Sequence, residues 1–174
     1  MSRQLKRIKR KRIDSYFNKG IIVDTGPLIL LLAGNYNVDV IGKTKLTKGY
    51  DVEDYEILFK FISKFGAIIV TPQTLAEVSN IINTKEPSNN FENFLRKTIN
   101  ILSDSKEVYV KKDIILSSNE VFKLGITDSS ILLCSERYDK VILTKDLKLS
   151  LLCRSKGIPV VHFDELRDEI WSSM

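Results

Sequence analysis

Short apolar runs alternate along the chain with longer segments in which apolar residues recur every three or four positions. The runs predict strands at 20–24, 67–70, 108–110, 140–144 and 158–161. The periodic segments predict helices at 26–33, 54–65, 72–82, 91–102, 113–124, 128–138, 146–155 and 164–171. Strands that alternate with helices indicate an α/β fold with a mainly parallel sheet covered on both faces.

Polar residues mark several of the predicted helix starts. Asp54, Thr127 and Asp164 each precede an apolar periodic segment, and we expect each to cap the first turn of its helix. The Thr71-Pro72 pair is expected to supply a cap followed by proline at the first helical position, where a missing N–H is harmless.

Two segments stand apart from this alternation. Residues 1–19 form a basic arm of charge +7, whereas residues 20–174 carry −2 and are expected to form one domain. A basic arm is typical of contact with nucleic acid, of contact with an acidic surface, or of a solvated extension. For the first of these, the RNA-binding candidates are Lys6, Arg7, Lys9, Arg10, Lys11 and Arg12. Residues 34–53 lack clear periodicity, which predicts a long loop or insertion with solvated lysines, or alternatively a substrate contact.

Composition narrows the chemistry that the chain can perform. The two cysteines, Cys134 and Cys153, lie among apolar residues, which is typical of buried thiols in a reducing compartment. The single histidine, His162, excludes mechanisms that need two and is expected to be packed rather than catalytic. No apolar run approaches the length of a membrane span, so we expect a cytoplasmic protein with no membrane partner.

Four acids fall at predicted element ends that face one edge of the sheet. Asp24 ends the first strand, and Asp146 lies two residues past the strand at 140–144. Asp128 begins a helix, where the helix dipole favours a carboxylate, and Glu77 lies on the helix after the second strand. The last three also have ordinary explanations as helix-terminal or solvated acids. Asp24 does not, because a carboxylate against an apolar core costs several kcal/mol unless it is paired or metal-bound.

Four carboxylates in one cleft would repel one another strongly. Each close pair costs about 4 kcal/mol at about 4 Å with an effective dielectric constant of about 20. A hard divalent cation relieves this repulsion, and ligation by oxygen alone favours Mg²⁺ or Mn²⁺ over zinc. Such a site suits phosphodiester hydrolysis, because the metal lowers the pKa of a bound water and neutralises charge on the phosphate.

Four motifs, in this order, resemble those of PIN domains. They are Val23-Asp24-Thr25, Leu75-Ala76-Glu77-Val78 after Thr71-Pro72, Gly125-Ile126-Thr127-Asp128, and Leu143-Thr144-Lys145-Asp146. The resemblance covers about residues 20–163 and implies a three-layer α/β/α sandwich with Mg²⁺- or Mn²⁺-dependent ribonuclease activity. It also implies roles: Asp24, Glu77, Asp128 and Asp146 would form the acidic metal site. The hydroxyls of Thr25 and Thr144 would hold carboxylates or a bound water in place.

The first functional hypothesis is therefore a metal-dependent endoribonuclease, with the basic arm adding electrostatic affinity for RNA. Many stand-alone PIN proteins are toxins of toxin–antitoxin pairs, so the resemblance extends the expected partners to a protein antitoxin or the ribosome, and to a second copy in a homodimer. The basic arm and residues 34–53 are additional to the minimal PIN domain, which leaves the subfamily open.

Two alternatives use the same features differently. In a non-catalytic RNA- or ribosome-binding module, the arm would dominate and the acids would be relics. A phosphotransfer domain of receiver or dehalogenase type is also built on strand-end aspartates. It fits less well, because Asp24 has no second Asp two residues on and Lys145 lies directly beside Asp146.

Overall fold

Five short strands lie at the centre of the structure. In the computed structural model, which describes residues 13–85 and 88–171, they are β1 (Ile21–Val23), β2 (Ile68–Val70), β3 (Lys106–Glu107), β4 (Val141–Thr144) and β5 (Val160–His162). The helices are α1 (Thr25–Tyr36), α2 (Val52–Ile62), α3 (Pro72–Lys85), α4 (Ser88–Asp104), α5 (Lys112–Ser117), α6 (Val121–Leu124), α7 (Ile126–Tyr138), α8 (Leu147–Ser155) and α9 (Phe163–Trp171).

The strands form one parallel sheet in the order β3-β2-β1-β4-β5. The chain adds β2 and β3 on one side of β1, and then crosses to place β4 and β5 on the other side. Strand order therefore reverses between β1 and β4. In open sheets of this kind, ligands bind beyond the carboxyl ends of the strands at that point. Asp24 follows β1 and Thr144 ends β4, so both lie there.

Alternate residues of the strands face two separate cores, as the period of a strand requires. Ile21 and Val23 of β1 pack in the core that includes α1 to α4 and α9. Ile22, between them, packs in the core that includes α5, α7 and α8. All three side chains are fully buried, and each such burial contributes about 1.5–3 kcal/mol. The fold is thus the three-layer α/β/α sandwich that the sequence leads us to expect.

The third strand lies earlier in the chain than predicted. The ladder pairs Lys106 and Glu107 with β2, and the backbone N–H of Val108 still donates to the carbonyl of Val70 at 3.0 Å. The apolar side chains of Val108 and Val110 follow these paired residues and pack in the second core. Both residues of β3 are exposed, so this edge strand has no apolar run to mark it.

The predicted helix at 113–124 is two helices, α5 and α6. Ser118 stands between them with extended backbone, and its hydroxyl oxygen accepts a hydrogen bond from the backbone N–H of Glu120 at 3.1 Å. A serine side chain that bonds to the nearby backbone competes with helical hydrogen bonding. The single predicted helix is therefore broken at this serine.

Helix α1 continues past the glycine that we expected to end it. Gly34 lies inside the helix, where a Cβ would be 2.2 Å from the Tyr55 ring of α2. The glycine thus permits close helix packing and does not act as a terminator.

The Thr71-Pro72 prediction is confirmed, because α3 begins at Pro72 and the Thr71 hydroxyl accepts from the backbone N–H of Thr74 at 3.2 Å. Three other predicted caps differ from those observed. Asp54 is the third residue of α2, and the N-cap is Asp51: each carboxylate accepts a hydrogen bond from the other's backbone N–H. The N-cap of α7 is Gly125 rather than Thr127, and α9 begins at Phe163, before Asp164. Gly125 has φ 84°, a conformation that favours glycine, and its position makes Asp128 the third residue of α7.

Residues 34–53 follow a defined path over the first core. Ile41 and Leu46 are buried there, while Lys43, Lys45 and Lys48 are exposed as predicted. A fully buried threonine, Thr47, ties the segment together: its hydroxyl donates to the carbonyl of Val40 at 3.1 Å and accepts from the backbone N–H of Gly42 at 3.0 Å.

Residues 13–19 of the predicted arm pack against the domain, and Ile13 and Phe17 contact the first core. The Tyr16 hydroxyl and the Lys19 ammonium group both donate to the carboxylate of Asp139, which lies two residues before β4. The RNA-binding candidates Lys6, Arg7, Lys9, Arg10, Lys11 and Arg12 lie outside the described residues.

The helices of the described residues include none that combines the length and apolar character needed to cross a membrane.

Candidate metal centre

Asp24 is held at the junction of β1 and α1. Its Oδ1 accepts a hydrogen bond from the backbone N–H of Thr25 at 2.6 Å, and its Oδ2 accepts one from the Thr144 hydroxyl at 2.6 Å. The residue is only 7% exposed. Burial raises the pKa of the Asp24 carboxyl above its usual value, and the nearby charges of Glu77 and Asp146 raise it further against the effect of the two hydrogen bonds.

Thr144 connects two of the acids through a single hydroxyl group. This fully buried hydroxyl donates to Asp24 and accepts from the backbone N–H of Asp146 at 2.8 Å. Asp146 itself is exposed and caps α8, with its Oδ1 accepting from the backbone N–H of Leu149 at 2.8 Å. One carboxylate oxygen of Asp146 therefore caps α8, and the backbone of Asp146 is held by the same hydroxyl that bonds to Asp24.

Thr25 makes the corresponding connection to Glu77. The Thr25 hydroxyl donates to Oε2 of Glu77 at 3.2 Å, and Glu77 projects from α3 as a partly buried side chain. The hydroxyls of Thr25 and Thr144 thus each donate to the carboxylate of one acid, and that of Thr144 also accepts from the backbone of a second.

Asp128 is brought to the same region by the packing of α7 against α3. Buried hydroxyls join the two helices: Thr71 and Ser130 lie 3.2 Å apart, and Ser130 donates to the carbonyl of Thr127 at 2.7 Å. Burial raises the pKa of Asp128 to about 7, aided by the charges of Asp24, Asp146 and Glu77, which act against that of Lys148.

The four predicted acids therefore share one electrostatic environment. Within residues 13–85 and 88–171, none of them forms an ion pair with a lysine or arginine. Nor are any three His, Cys, Asp or Glu side chains of these residues grouped tightly enough to hold a metal ion as they stand. A cation between the carboxylates would offset the repulsion among their charges.

The donor set fits a hard divalent cation. Every candidate ligand is a carboxylate oxygen, and the buried Asp24 has its charge opposed by burial and by neighbouring acids. Oxygen-only ligands of this kind suit Mg²⁺ and Mn²⁺. The residues that would hold the cation are Asp24, Glu77, Asp128 and Asp146.

Two further residues lie near this centre. The charge of Asp24 acts on Tyr50, whose hydroxyl lies 3.2 Å from the position of a Cβ on Gly26. The Nζ of Lys145 lies 4.0 Å from the centroid of the Tyr50 ring. Lys145 could have been suspected from its place between Thr144 and Asp146. Tyr50 could not, because it lies in an aperiodic segment.

His162 is buried and supports the loop after β4. Its Nε2 lies 3.1 Å from the backbone carbonyl oxygen of Lys145, and because a carbonyl only accepts, Nε2 carries the proton. The histidine is therefore packed in the structure and holds the backbone of Lys145; that it takes no part in catalysis stays a prediction.

The architecture resembles that of a solved structure. The "Crystal Structure of PAE2754 from Pyrobaculum aerophilum" superposes with a TM-score of 0.54 at 16% sequence identity, covering 88% of this chain and 96% of that one. This likeness shows the fold. No protein-family model matches the sequence, and a search of curated proteins finds no relative.

The raised pKa of Asp128 predicts a pH dependence of stability in the metal-free protein. Between the ordinary value of 3.8 and about 7, the folded state keeps a proton that the unfolded state releases. The free energy of unfolding should therefore fall as pH rises through this range. Asp128→Asn should flatten this dependence, measured as melting temperature in EDTA between pH 5 and pH 8. Asp113→Asn, at an exposed acid, should not. An unchanged slope in Asp128→Asn would contradict the prediction.

Proposed function

We propose that the chain is a Mg²⁺- or Mn²⁺-dependent endoribonuclease that hydrolyses phosphodiester bonds of RNA. One observation carries this proposal: four electrostatically coupled carboxylates, without a basic ion-pair partner in the described residues, lie near the carboxyl ends of β1 and β4. Such a group of carboxylates lowers the stability of the fold, and it offers the oxygen ligands that a hard divalent cation prefers. The resemblance of the four motifs to PIN domains supports RNA as the substrate.

The acids divide the work by position. Asp24, Asp128 and Asp146 would hold one or two cations. Glu77 would bind a cation directly or through water, or orient the attacking water. Thr144 keeps an oxygen of Asp24 fixed, and Thr25 does the same for Glu77. Because these hydrogen bonds exist before any ligand arrives, little reorganisation is needed when charge develops on the phosphate.

When bound, a divalent cation supplies positive charge at the phosphate and lowers the pKa of a water molecule. Hydrolysis then adds the water oxygen to phosphorus, breaks one phosphorus–ester oxygen bond, and returns a proton to the departing oxygen. The carboxylates of the chain orient the participants of this exchange and are themselves unchanged by it.

The basic arm is proposed to add affinity without contributing to the chemistry. If Lys6, Arg7, Lys9, Arg10, Lys11 and Arg12 neutralise about five phosphates, log K for single-stranded RNA should fall with log salt at a slope of about −3.5. A role as the toxin of a toxin–antitoxin pair, with an antitoxin, the ribosome or a second copy as partner, stays a prediction from the motif resemblance.

The test is cleavage of an end-labelled single-stranded RNA by the purified full chain. We expect cleavage with Mn²⁺ or Mg²⁺ and none with EDTA, and we expect single-stranded DNA of the same sequence to be cut more slowly. Deletion of residues 1–12 should weaken RNA binding and flatten its salt dependence. The absence of cleavage, together with RNA binding that survives EDTA, would instead support the non-catalytic RNA- or ribosome-binding module.

A further inference from the structure

The segment 34–53 carries Tyr50 close to Asp24, and contacts within the segment hold Tyr50 there. Leu46 and Thr47 are buried, and the carbonyl of Thr47 accepts a hydrogen bond from the backbone N–H of Tyr50 at 3.1 Å. Gly42, with φ 75°, lies against the same residue, since a Cβ there would be 2.8 Å from the Tyr50 carbonyl oxygen. A glycine is needed at 42 for this approach. The segment therefore presents Tyr50 to the centre in one arrangement.

The Tyr50 side chain extends to the first turn of α1, which Asp24 precedes. Its ring packs edge-on against Phe163 at 5.9 Å, which fixes the direction of the hydroxyl. The hydroxyl lies 3.2 Å from the position of a Cβ on Gly26, which is a tight approach to the first turn of α1. Burial and the charge of Asp24, followed by those of Asp164 and Asp54, raise the pKa of Tyr50, so the hydroxyl keeps its proton and can donate it in a hydrogen bond.

Lys145 lies beside Tyr50, and its contacts with the described residues are long. Its Nζ is 3.4 Å from the Gly49 carbonyl oxygen, 3.9 Å from Oδ1 of Asp164 and 4.0 Å from the centroid of the Tyr50 ring. The side chain is 32% exposed, and its charge also acts on Asp54. An ammonium group whose ion pairs within residues 13–85 and 88–171 are this long can exchange them for a closer anion at small cost.

We propose that the Tyr50 hydroxyl and the Lys145 ammonium together form a phosphate-binding subsite of the RNA strand, next to the acid centre. This inference rests on the proposed function and assigns the recognition of substrate to residues other than the acids. Lys145 directly precedes Asp146 in the sequence, so the two proposed functions are carried by neighbouring residues. Lys43, Lys45 and Lys48 are exposed on the 34–53 segment, which also carries Tyr50.

The subsite would offset the repulsion between the acid centre and the phosphates of RNA. Four carboxylates repel the phosphates of an approaching RNA, and the cation offsets this only at the scissile group. A neutral hydroxyl donor and an ammonium group beside the acids would attract the adjoining phosphate, because hydrogen bonds to charged groups are about twice as strong as neutral ones. The ammonium contributes charge, and the hydroxyl contributes direction.

The experiment compares Tyr50→Phe, Lys145→Gln and Lys145→Arg with wild type in the full chain. Tyr50→Phe keeps the ring packing and removes only the hydroxyl, and Lys145→Arg keeps the charge. Lys60→Gln is the matched control, because Lys60 is an exposed lysine on α2 whose ion pair is with Glu56. Two measurements are made: Mn²⁺-dependent cleavage kinetics, and binding of single-stranded RNA in EDTA by fluorescence anisotropy across a salt series.

We expect Tyr50→Phe to raise KM about tenfold with a much smaller change in kcat, the loss expected for a hydrogen bond to a charged group. Lys145→Gln should lower the salt slope of RNA binding by about 0.7, the value of one phosphate contact on a single strand, and Lys145→Arg should restore it. The melting temperatures of Tyr50→Phe and Lys145→Arg should stay close to that of wild type.

The outcomes separate this inference from the proposed function. If wild type does not cleave RNA, the proposed function fails, while the binding series still tests the subsite. If wild type cleaves and Lys145→Gln and Tyr50→Phe match Lys60→Gln in both measurements, the subsite is overturned and the function stands. A fall in melting temperature without any change in KM or salt slope would also overturn the subsite, because it would indicate a purely structural role.

Discussion

Replacement of Asp24 by asparagine is expected to lower metal-dependent RNA cleavage at least about 100-fold while raising the stability of the metal-free protein. Asparagine keeps an oxygen to accept from the Thr25 N–H, and its amide can donate to the Thr144 hydroxyl, so the local hydrogen bonds are preserved in number. The negative charge is lost. Because that charge is buried beside Glu77 and Asp146, its loss relieves repulsion in the folded state.

The opposite directions of the two effects make the test specific. Cleavage is followed with labelled RNA and Mn²⁺, and stability is followed by the melting temperature in EDTA, which should rise by several degrees. Asp104→Asn, at an exposed acid on α4, should change neither quantity. Wild-type cleavage by Asp24→Asn would remove Asp24 from the metal site. A lower melting temperature in this variant would show that the carboxylate is stabilising and that its burial has another explanation.

Replacement of Thr144 by valine is expected to lower the free energy of unfolding by about 2–3 kcal/mol, because it removes the donor to Asp24 and the acceptor for the Asp146 N–H at one buried position. For a chain of this size, that corresponds to a fall of about 4–12 °C in melting temperature. Cleavage should fall as well, since Asp24 and Asp146 lose their common support.

The matched variant is Thr144→Ser, which keeps the hydroxyl and removes only a methyl group. It should retain most of the cleavage rate and lose about 1 kcal/mol or less by chemical denaturation. Equal stability of the valine and serine variants would show that the hydroxyl bridge is unimportant and that packing alone decides this position.

The parts of the fold that the sequence predicts are those that burial dictates. Ile21-Ile22-Val23 and the apolar run of β4 had to be covered on both faces, and the parallel sheet follows from the alternation of strands and helices. Prediction from the sequence was wrong where polar groups or tertiary contacts determine the ends and positions of elements. Gly34 predicts a helix end from sequence, yet it lies inside α1. A glycine is needed there because the ring of Tyr55, on α2, packs too close for a Cβ. The exposed residues of β3 carry no pattern at all.

The candidate site divides in the same way. Asp24 and Asp146 could be placed from sequence, because the carboxyl ends of parallel strands meet at one edge of the sheet. Their connection through the Thr144 hydroxyl agrees with the role that the motif resemblance implies. Tyr50 could not be placed, because its approach to Gly26 depends on the path of an aperiodic segment held by the buried hydroxyl of Thr47.

The attachment of residues 13–19 to the domain decides how cleanly the preceding residues can be removed. Tyr16 and Lys19 bond to Asp139 just before β4, and the Phe17 carbonyl accepts from the backbone N–H of Gly66 just before β2. These contacts lie at the amino ends of the strands, and the acids lie beyond the carboxyl ends. A chain that begins at residue 13 therefore keeps every hydrogen bond described at the acids, and any change in its activity can be assigned to the removed residues.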